Sequence, residues 1–367
     1  TRYWRDWSSD VCSSDLIGFL AAAGLLSAQE SDPPRAGRGG RQVQVEPLKI
    51  IGEIERTSPE IDSLLPADAR IEVLAAGFEW SEGPAWDPRS GSLLFSDIPR
   101  NQIVRLRPGR EPSIYLQPSG YTGTERFAGY EPGTNGLIFD AEGRLLMCCH
   151  GDRMVKRQEA DGSFTVLADR YDGKRLNSPN DLVLDRSGSV YFTDPPYGLP
   201  KAYDDPAREL DWCGVYRIVD GKVELLTDEM TRPNGIAFSP DYRTLYVAQS
   251  DPQAAIWKAF PVNEDGTLGE SRILHDSTDQ VGKVPGLPDG LAVDEHGNLW
   301  ATGPGGVLIL SPEGKLLGRI LTGEATANCT FGEDGWLYVT ADMYLCRVKT
   351  STRGITMPDL PRRGRNR

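Results

Sequence analysis

The sequence predicts an all-β fold, a six-bladed β-propeller. Two observations predict it. The chain carries 40 Gly and 27 Pro in 367 residues, a density of turn formers that disfavours a helical bundle and favours many short strands. A short motif also recurs six times: a polar residue, a small turn residue, an apolar pair, a Gly turn and an alternating strand. It begins at Glu82 (EGPAWDPRSGSLLFSD), Asn135 (NGLIFDAEGRLLMC), Asn180 (NDLVLDRSGSVYFTD), Asn234 (NGIAFSPDYRTLYVA), Asp289 (DGLAVDEHGNLWAT) and Asn328 (NCTFGEDGWLYVT). The intervals are 53, 45, 54, 55 and 39 residues. Each leaves room for four strands, the content of one propeller blade.

The elements follow in order along the chain. Residues 1–16 read as a translated sequencing-adapter artefact and are set aside, Cys12 with them. Residues 17–28 (IGFLAAAGLLSA) read as the remnant of a signal peptide, which implies a secreted or periplasmic protein. Residues 29–45 are rich in Pro, Gly and Arg and read as a disordered leader. Residues 46–349 hold the six blades, with 215–226 and 306–320 as outer hairpins. Residues 350–367 are basic and read as a disordered tail.

Charge narrows the partners. Lys and Arg number 40 against 53 Asp and Glu, a net charge of −13. A chain this acidic has no general attraction to nucleic-acid phosphates. No apolar run approaches the roughly 20 residues of a membrane span. The five remaining cysteines (Cys148, Cys149, Cys213, Cys329, Cys346) show no paired zinc-site spacing and read mainly as small buried hydrophobes. The sequence leaves oligomeric state and disulfide formation open.

Blades repeat by rotation about a central channel, so the residue opening each repeat faces one common mouth. Glu82, Asn135, Asn180, Asn234, Asp289 and Asn328 then form an oxygen-rich ring. Hard divalent cations prefer such donors, and Ca²⁺ takes about six to eight oxygens. The competing reading is local, since Asn and Asp before Gly are also favoured in tight turns. Six equivalent occurrences favour the cation. Ca²⁺ leads the expectation, with Mg²⁺, Mn²⁺ and Zn²⁺ as alternatives.

At these residues the chain resembles the senescence-marker-protein/gluconolactonase/luciferin-regenerating-enzyme family, and the bacterial gluconolactonases in particular. The motifs that carry the resemblance are SEGPAWD (81–87), GTNGLIFDAEGRLL (133–146), SPNDLVLDRSGSVYFTDPPYG (178–198), RPNGIAFSPD (232–241), LPDGLAVDEHGNLW (287–300) and ANCTFG (327–332). The resemblance implies a six-bladed propeller with one divalent cation in the channel. It implies Glu82, Asn234 and Asp289 as core ligands, with Asn180 as a further ligand or substrate contact. It places Asn135 and His150 facing the substrate. Paraoxonase relatives use a His pair; here Asn135 replaces one member.

The expected function is hydrolysis of a sugar lactone, with the cation as Lewis acid and water as nucleophile. Asp289 is the first choice of proton acceptor and His150 the second. Tyr197, after the Pro-Pro turn that follows Asp194, is expected to contact a sugar hydroxyl. Ser81 and Ser178 lack the G-x-S-x-G setting of a nucleophile. The alternatives are an aryl-ester or phosphotriester hydrolase on the same cation, and a secreted propeller acting as a non-enzymatic binding scaffold.

Overall fold

In the computed structural model the described residues are 48–355. Six antiparallel sheets each begin with the strand at a repeat start: Ser81–Asp87, Thr134–Phe139, Leu182–Leu184, Pro233–Phe238, Leu291–Val293 and Thr326–Phe331. Each of these inner strands touches the next, and the sixth touches the first. The ring therefore closes as a six-bladed propeller. The expected outer hairpins form as Gly214–Val219 with Lys222–Thr227, and Gly306–Leu310 with Leu316–Leu321.

Closure uses a strand from the start of the propeller. Ile71–Ala76 pairs with Tyr344–Lys349 and supplies the fourth strand of the sixth blade, with Ile50–Ile51 paired outside it. Upstream, Glu53–Arg56 adds a fifth strand to the fifth blade by pairing with Leu316–Leu321. Two distant parts of the chain thus share the last sheet, which no local pattern announces.

The apolar core lies between blades. Strand residues on both faces are buried, so each sheet packs on two neighbours. Leu94 and Ile103 of the first blade meet Leu137 and Met147 of the second. Phe192 and Tyr216 of the third stack at 5.3 Å and pack on Leu146 and Val155 of the second. Trp257 of the fourth blade packs on Leu299 and Leu308 of the fifth. Leu93 and Phe95 meet Tyr338 and Leu345 where the sixth blade joins the first.

Two sequence expectations are refined here. Residues 350–355 do not belong to a disordered tail. Glu295 N–H donates to Arg353 O (2.8 Å), Ile355 N–H donates to Val293 O (3.0 Å), and Thr352 is buried. These bonds tie the chain beyond the sixth blade to the inner strand of the fifth and the turn after it. The proposed adapter, signal and leader segments, residues 1–45, and the end of the tail lie outside the described residues. The five cysteines at 148, 149, 213, 329 and 346 are buried free thiols. Among the described residues no helix is long and apolar enough to cross a membrane.

The repeated glycines have a packing role. A Cβ on Gly83 would lie 1.9 Å from Asn135 O, and one on Gly235 would lie 2.2 Å from Asp289 O. One on Gly290 would lie 1.9 Å from Asn328 Cγ. Each such glycine admits the backbone or side chain of the next blade at the channel. Gly235→Ala should therefore destabilise the protein by about 1–3 kcal/mol through overpacking. Gly269→Ala, whose added Cβ meets nothing nearer than 3.4 Å, should change stability by well under that amount. Urea denaturation of both variants checks the contrast.

Candidate active site

A bulge re-aims the residue at four of the six repeat starts. The strand register shifts between Glu82 and Ala85, between Thr134 and Leu137, between Pro233 and Ile236, and between Thr326 and Asn328. A bulge breaks strict in-out alternation and turns a side chain out of the sheet. In the third and fifth blades, Asn180 and Asp289 sit two residues ahead of the first paired residue. Hydroxyls on neighbouring strands hold the arrangement. Ser96 Oγ donates to Asn135 O (2.8 Å) and Thr193 Oγ1 to Asn234 O (2.7 Å). Ser250 Oγ donates to Pro288 O, and Thr302 Oγ1 to Ala327 O (2.8 Å).

Glu82, Asn135, Asn180, Asn234 and Asn328 are buried. Asp289 is packed among protein groups but is still partly reached by solvent. Burial pushes the Glu82 carboxyl up to about 8, and the Asp181 carboxylate beside it adds to the effect. Burial also drives Asp289 well above the carboxylate range, reinforced by the charges of Glu82, Asp181 and Glu131. Like charges held together in a poorly solvated space favour protonation, or an opposing cation.

Amide orientation separates the asparagines. Asn234 Nδ2 donates to Ser250 Oγ (2.9 Å), and the side chain also hydrogen-bonds Asp289. Its amide nitrogen is thereby engaged, which leaves the oxygen for another role. Asn180 Oδ1 is buried without a hydrogen-bond partner, although such acceptors are ordinarily satisfied. Asn328 differs. Its Oδ1 accepts from Cys329 N–H (2.8 Å), while its side chain hydrogen-bonds Glu82 and Asp181. Asn328 therefore steadies the acids and leaves the ring of oxygen donors.

These donors fit a hard cation. Glu82, Asp289, Asn234 and Asn180 offer two carboxylates and two amide oxygens, one of them orphaned. Among the described residues no three His, Cys, Asp or Glu side chains gather as a metal-binding group. The candidate set accordingly depends on amide oxygens, which suit Ca²⁺ or Mg²⁺ better than a thiolate- or imidazole-seeking ion.

The remaining candidates have settings of their own. His150 follows the strand Leu145–Cys149 and is fully buried. Its Nδ1 lies 3.0 Å from Glu131 Oε2, with neither ring nitrogen in an aligned hydrogen bond. Tyr197 lies within electrostatic reach of Asp289 and beside Ser250. Burial holds its phenol well above the usual range, so it remains a neutral donor. Ser178 is structural: its Oγ donates to Pro195 O (2.6 Å) and accepts from Gly198 N–H (2.9 Å). Asp194 is also structural, since its Oδ2 accepts from Asn177 N–H (2.7 Å).

Sequence reasoning missed two acids. Asp181 stands where four other repeats have Gly and the sixth has Cys329, and a Cβ on Gly136 would lie 2.6 Å from its Oδ1. That departure from the repeat is visible in NDLVLD. Burial pushes the Asp181 carboxyl up to about 7. Glu131 precedes the second repeat, and only the folded contact with His150 singles it out.

The comparisons agree with this architecture. The family model for the SMP-30/gluconolactonase/LRE-like region matches residues 80–342. A gluconolactonase from Zymomonas mobilis is 38% identical over 313 residues, covering 83% of this chain and 88% of that protein. The structure of a gluconolactonase from Xanthomonas campestris superposes with a TM-score of 0.71 at 35% identity, covering 83% of this chain and 97% of that one. A calcium-binding protein, regucalcin, from Agrobacterium tumefaciens shares the fold at 20% identity with a TM-score of 0.62, covering 78% of this chain and 95% of that one.

The buried acids make a testable demand on stability. In cation-free protein, Glu82 keeps its proton up to about 8, whereas an unfolded glutamate loses it near 4.3. Between those values the folded state binds more protons, so stability falls as pH rises. Burial depresses His275, and this opposes the trend as pH rises through the ordinary histidine range. The carboxylate contribution is therefore the difference between wild type and Glu82→Gln. Melting curves of chelator-treated protein should show wild type losing more stability than Glu82→Gln from about pH 5 to about pH 8. Added Ca²⁺ should raise the melting temperature of wild type more at the upper pH.

Proposed function

This chain belongs to the SMP-30/gluconolactonase/LRE-like family, and from that premise we propose that it is a lactonase that opens sugar lactones with the help of one divalent cation. The single observation that carries the reading is the mutual electrostatic influence of Glu82 and Asp289 in a poorly solvated space, together with the buried, orphaned Oδ1 of Asn180 at the equivalent position of the third blade. Glu82, Asn234, Asp289 and Asn180 would hold the cation, Ca²⁺ first among the candidates. When bound, the cation supplies Lewis acidity toward the lactone carbonyl. The relatives named gluconolactonase support a lactone over an aryl ester, a phosphotriester or a purely structural role.

The chain's own groups carry the rest. Tyr197 and Asn135 would orient the sugar ring by donating to its oxygens, and Tyr197 keeps its donor hydrogen because its phenol stays neutral. Asn328 would keep the Glu82 carboxylate turned inward by hydrogen bonding. Asn234 does the same for Asp289. An Asp289 carboxylate engaged with a cation is a weak base, because the positive charge lowers its proton affinity. The acceptor of the water proton is then best sought beside the acids rather than among them.

The test is hydrolysis of glucono-δ-lactone above its spontaneous rate. Chelator-treated protein should lose turnover, and Ca²⁺, Mg²⁺, Mn²⁺ and Zn²⁺ added in turn should rank the cations. Asp289→Asn should cost about a hundredfold or more in kcat, the scale of one lost transition-state contact. Wild-type protein that never exceeds the spontaneous rate with any cation would refute the gluconolactone reading.

A further inference from the structure

We infer that Glu131 is the positioning residue that makes His150 the proton acceptor in lactone opening. The inference rests on the lactonase reading and assigns it a base. Three features of the fold carry it.

The first is the setting of His150. Its backbone N–H donates to Gly133 O (3.1 Å), and its carbonyl accepts from Arg153 N–H (3.1 Å). From the other side the PPYG turn presses on it, since a Cβ on Gly198 would lie 2.5 Å from His150 Cβ. The imidazole is thus mounted on backbone held from two directions, and precise mounting is what a base needs. The second is the contact of Nδ1 with Glu131 Oε2 at 3.0 Å, which leaves Nε2 buried and without a partner. A carboxylate on one imidazole nitrogen selects the tautomer whose other nitrogen accepts a proton. The third is location. The Glu131 charge is felt by both Glu82 and Asp289, so the carboxylate that contacts His150 lies within electrostatic reach of the acids that would hold the cation.

The other two histidines are otherwise engaged. His275 Nδ1 contacts Gly314 O (3.0 Å), and its ring lies 5.8 Å from that of Trp257. His296 sits in the turn capped by Asp294, whose Oδ1 accepts from its backbone N–H (3.0 Å). Neither has a carboxylate contact that would orient it toward the acids.

The step balances without a further reagent. Water attacks the lactone carbonyl carbon, forming a C–O bond, while its proton passes to His150 Nε2. The Glu131 carboxylate stabilises the resulting imidazolium without taking the proton. When the ring C–O bond breaks, the imidazolium returns the proton to the departing ring oxygen. The product is the open hydroxy acid, which then ionises.

Four variants and one spectrum test this. Glu131→Gln preserves shape and removes the charge, so kcat should fall at least tenfold with KM within twofold of wild type. Glu131→Asp should recover part of the loss. His150→Gln should lose about a hundredfold, the lower range for removing a general base. In the His150→Gln background, adding Glu131→Gln should cost nothing further, because the carboxylate acts through the imidazole. With three histidines in the chain, ¹⁵N NMR of the cation-free protein can follow each ring. It should show His150 as the Nδ1–H tautomer in wild type and a tautomer mixture in Glu131→Gln. Additive losses in the double variant, a loss confined to KM, or an unchanged tautomer would each overturn the proposal. Wild-type protein without lactone turnover defeats the lactonase reading and this assignment together. Wild-type turnover with an unaffected Glu131→Gln defeats this assignment alone.

Discussion

Everything at the channel depends on how closely successive inner strands approach one another. Gly83, Gly136, Gly235 and Gly290 each leave a space that the next blade fills, and a methyl group there would overlap Asn135, Asp181, Asp289 or Asn328. This contact sets the diameter of the channel. It also places a backbone carbonyl or polar side chain of one blade against the backbone of its neighbour. Gly136 N–H donates to Asn180 O (2.8 Å) and Gly290 N–H to Ala327 O (2.8 Å). The apolar clusters between blades then hold the sheets at that spacing. A wider ring would separate Glu82 from Asp289 and dissolve their mutual influence.

The second constraint is electrostatic. Glu82, Asp181 and Asp289 are within electrostatic reach of one another, where desolvation and repulsion both oppose ionisation. A fold tolerates such a group when it is protonated, hydrogen-bonded or matched by opposite charge. Asn328 and Asn234 provide hydrogen bonds but no charge. The arrangement therefore suits a cation, and the donor chemistry limits which one. Stability of the empty site and affinity for a cation pull in opposite directions, because the repulsion that costs the fold is what a bound cation relieves.

Two excursions from the regular blades shape the mouth. The segment between the first and second blades supplies Glu131, and the one after Asp194 supplies Tyr197 and Gly198. They meet around His150, which Glu131 contacts through its side chain and Gly198 through close packing. Arg153 helps hold the second excursion, since its guanidinium donates to Leu176 O, Asn177 O and Ala207 O. Loops on a rigid ring can vary without disturbing the blades. In this protein they bring a carboxylate against the histidine, and that carboxylate's charge reaches Glu82 and Asp289.

Much of this was legible in the chain. Six recurrences of a polar residue, a turn and an alternating strand determined six blades, because strand period and turn chemistry are local properties. The same recurrences nominated Glu82, Asn135, Asn180, Asn234, Asp289 and Asn328, because rotation about one axis carries equivalent residues to one place; the family resemblance narrowed these to Glu82, Asn180, Asn234 and Asp289 as ligands. The Gly after the polar residue read locally as a turn former, but its function is contact with the next blade. Ring closure by Ile71–Ala76 was not legible, nor was the packing of residues 350–355, since both join distant segments. The pairing of Glu131 with His150 likewise spans two loops with no shared periodicity. Which asparagine presents oxygen and which presents nitrogen was decided only by tertiary structure. An amide's orientation is set by the partners that folding brings to it, and Asn328 and Asn180, alike in sequence setting, were given different ones.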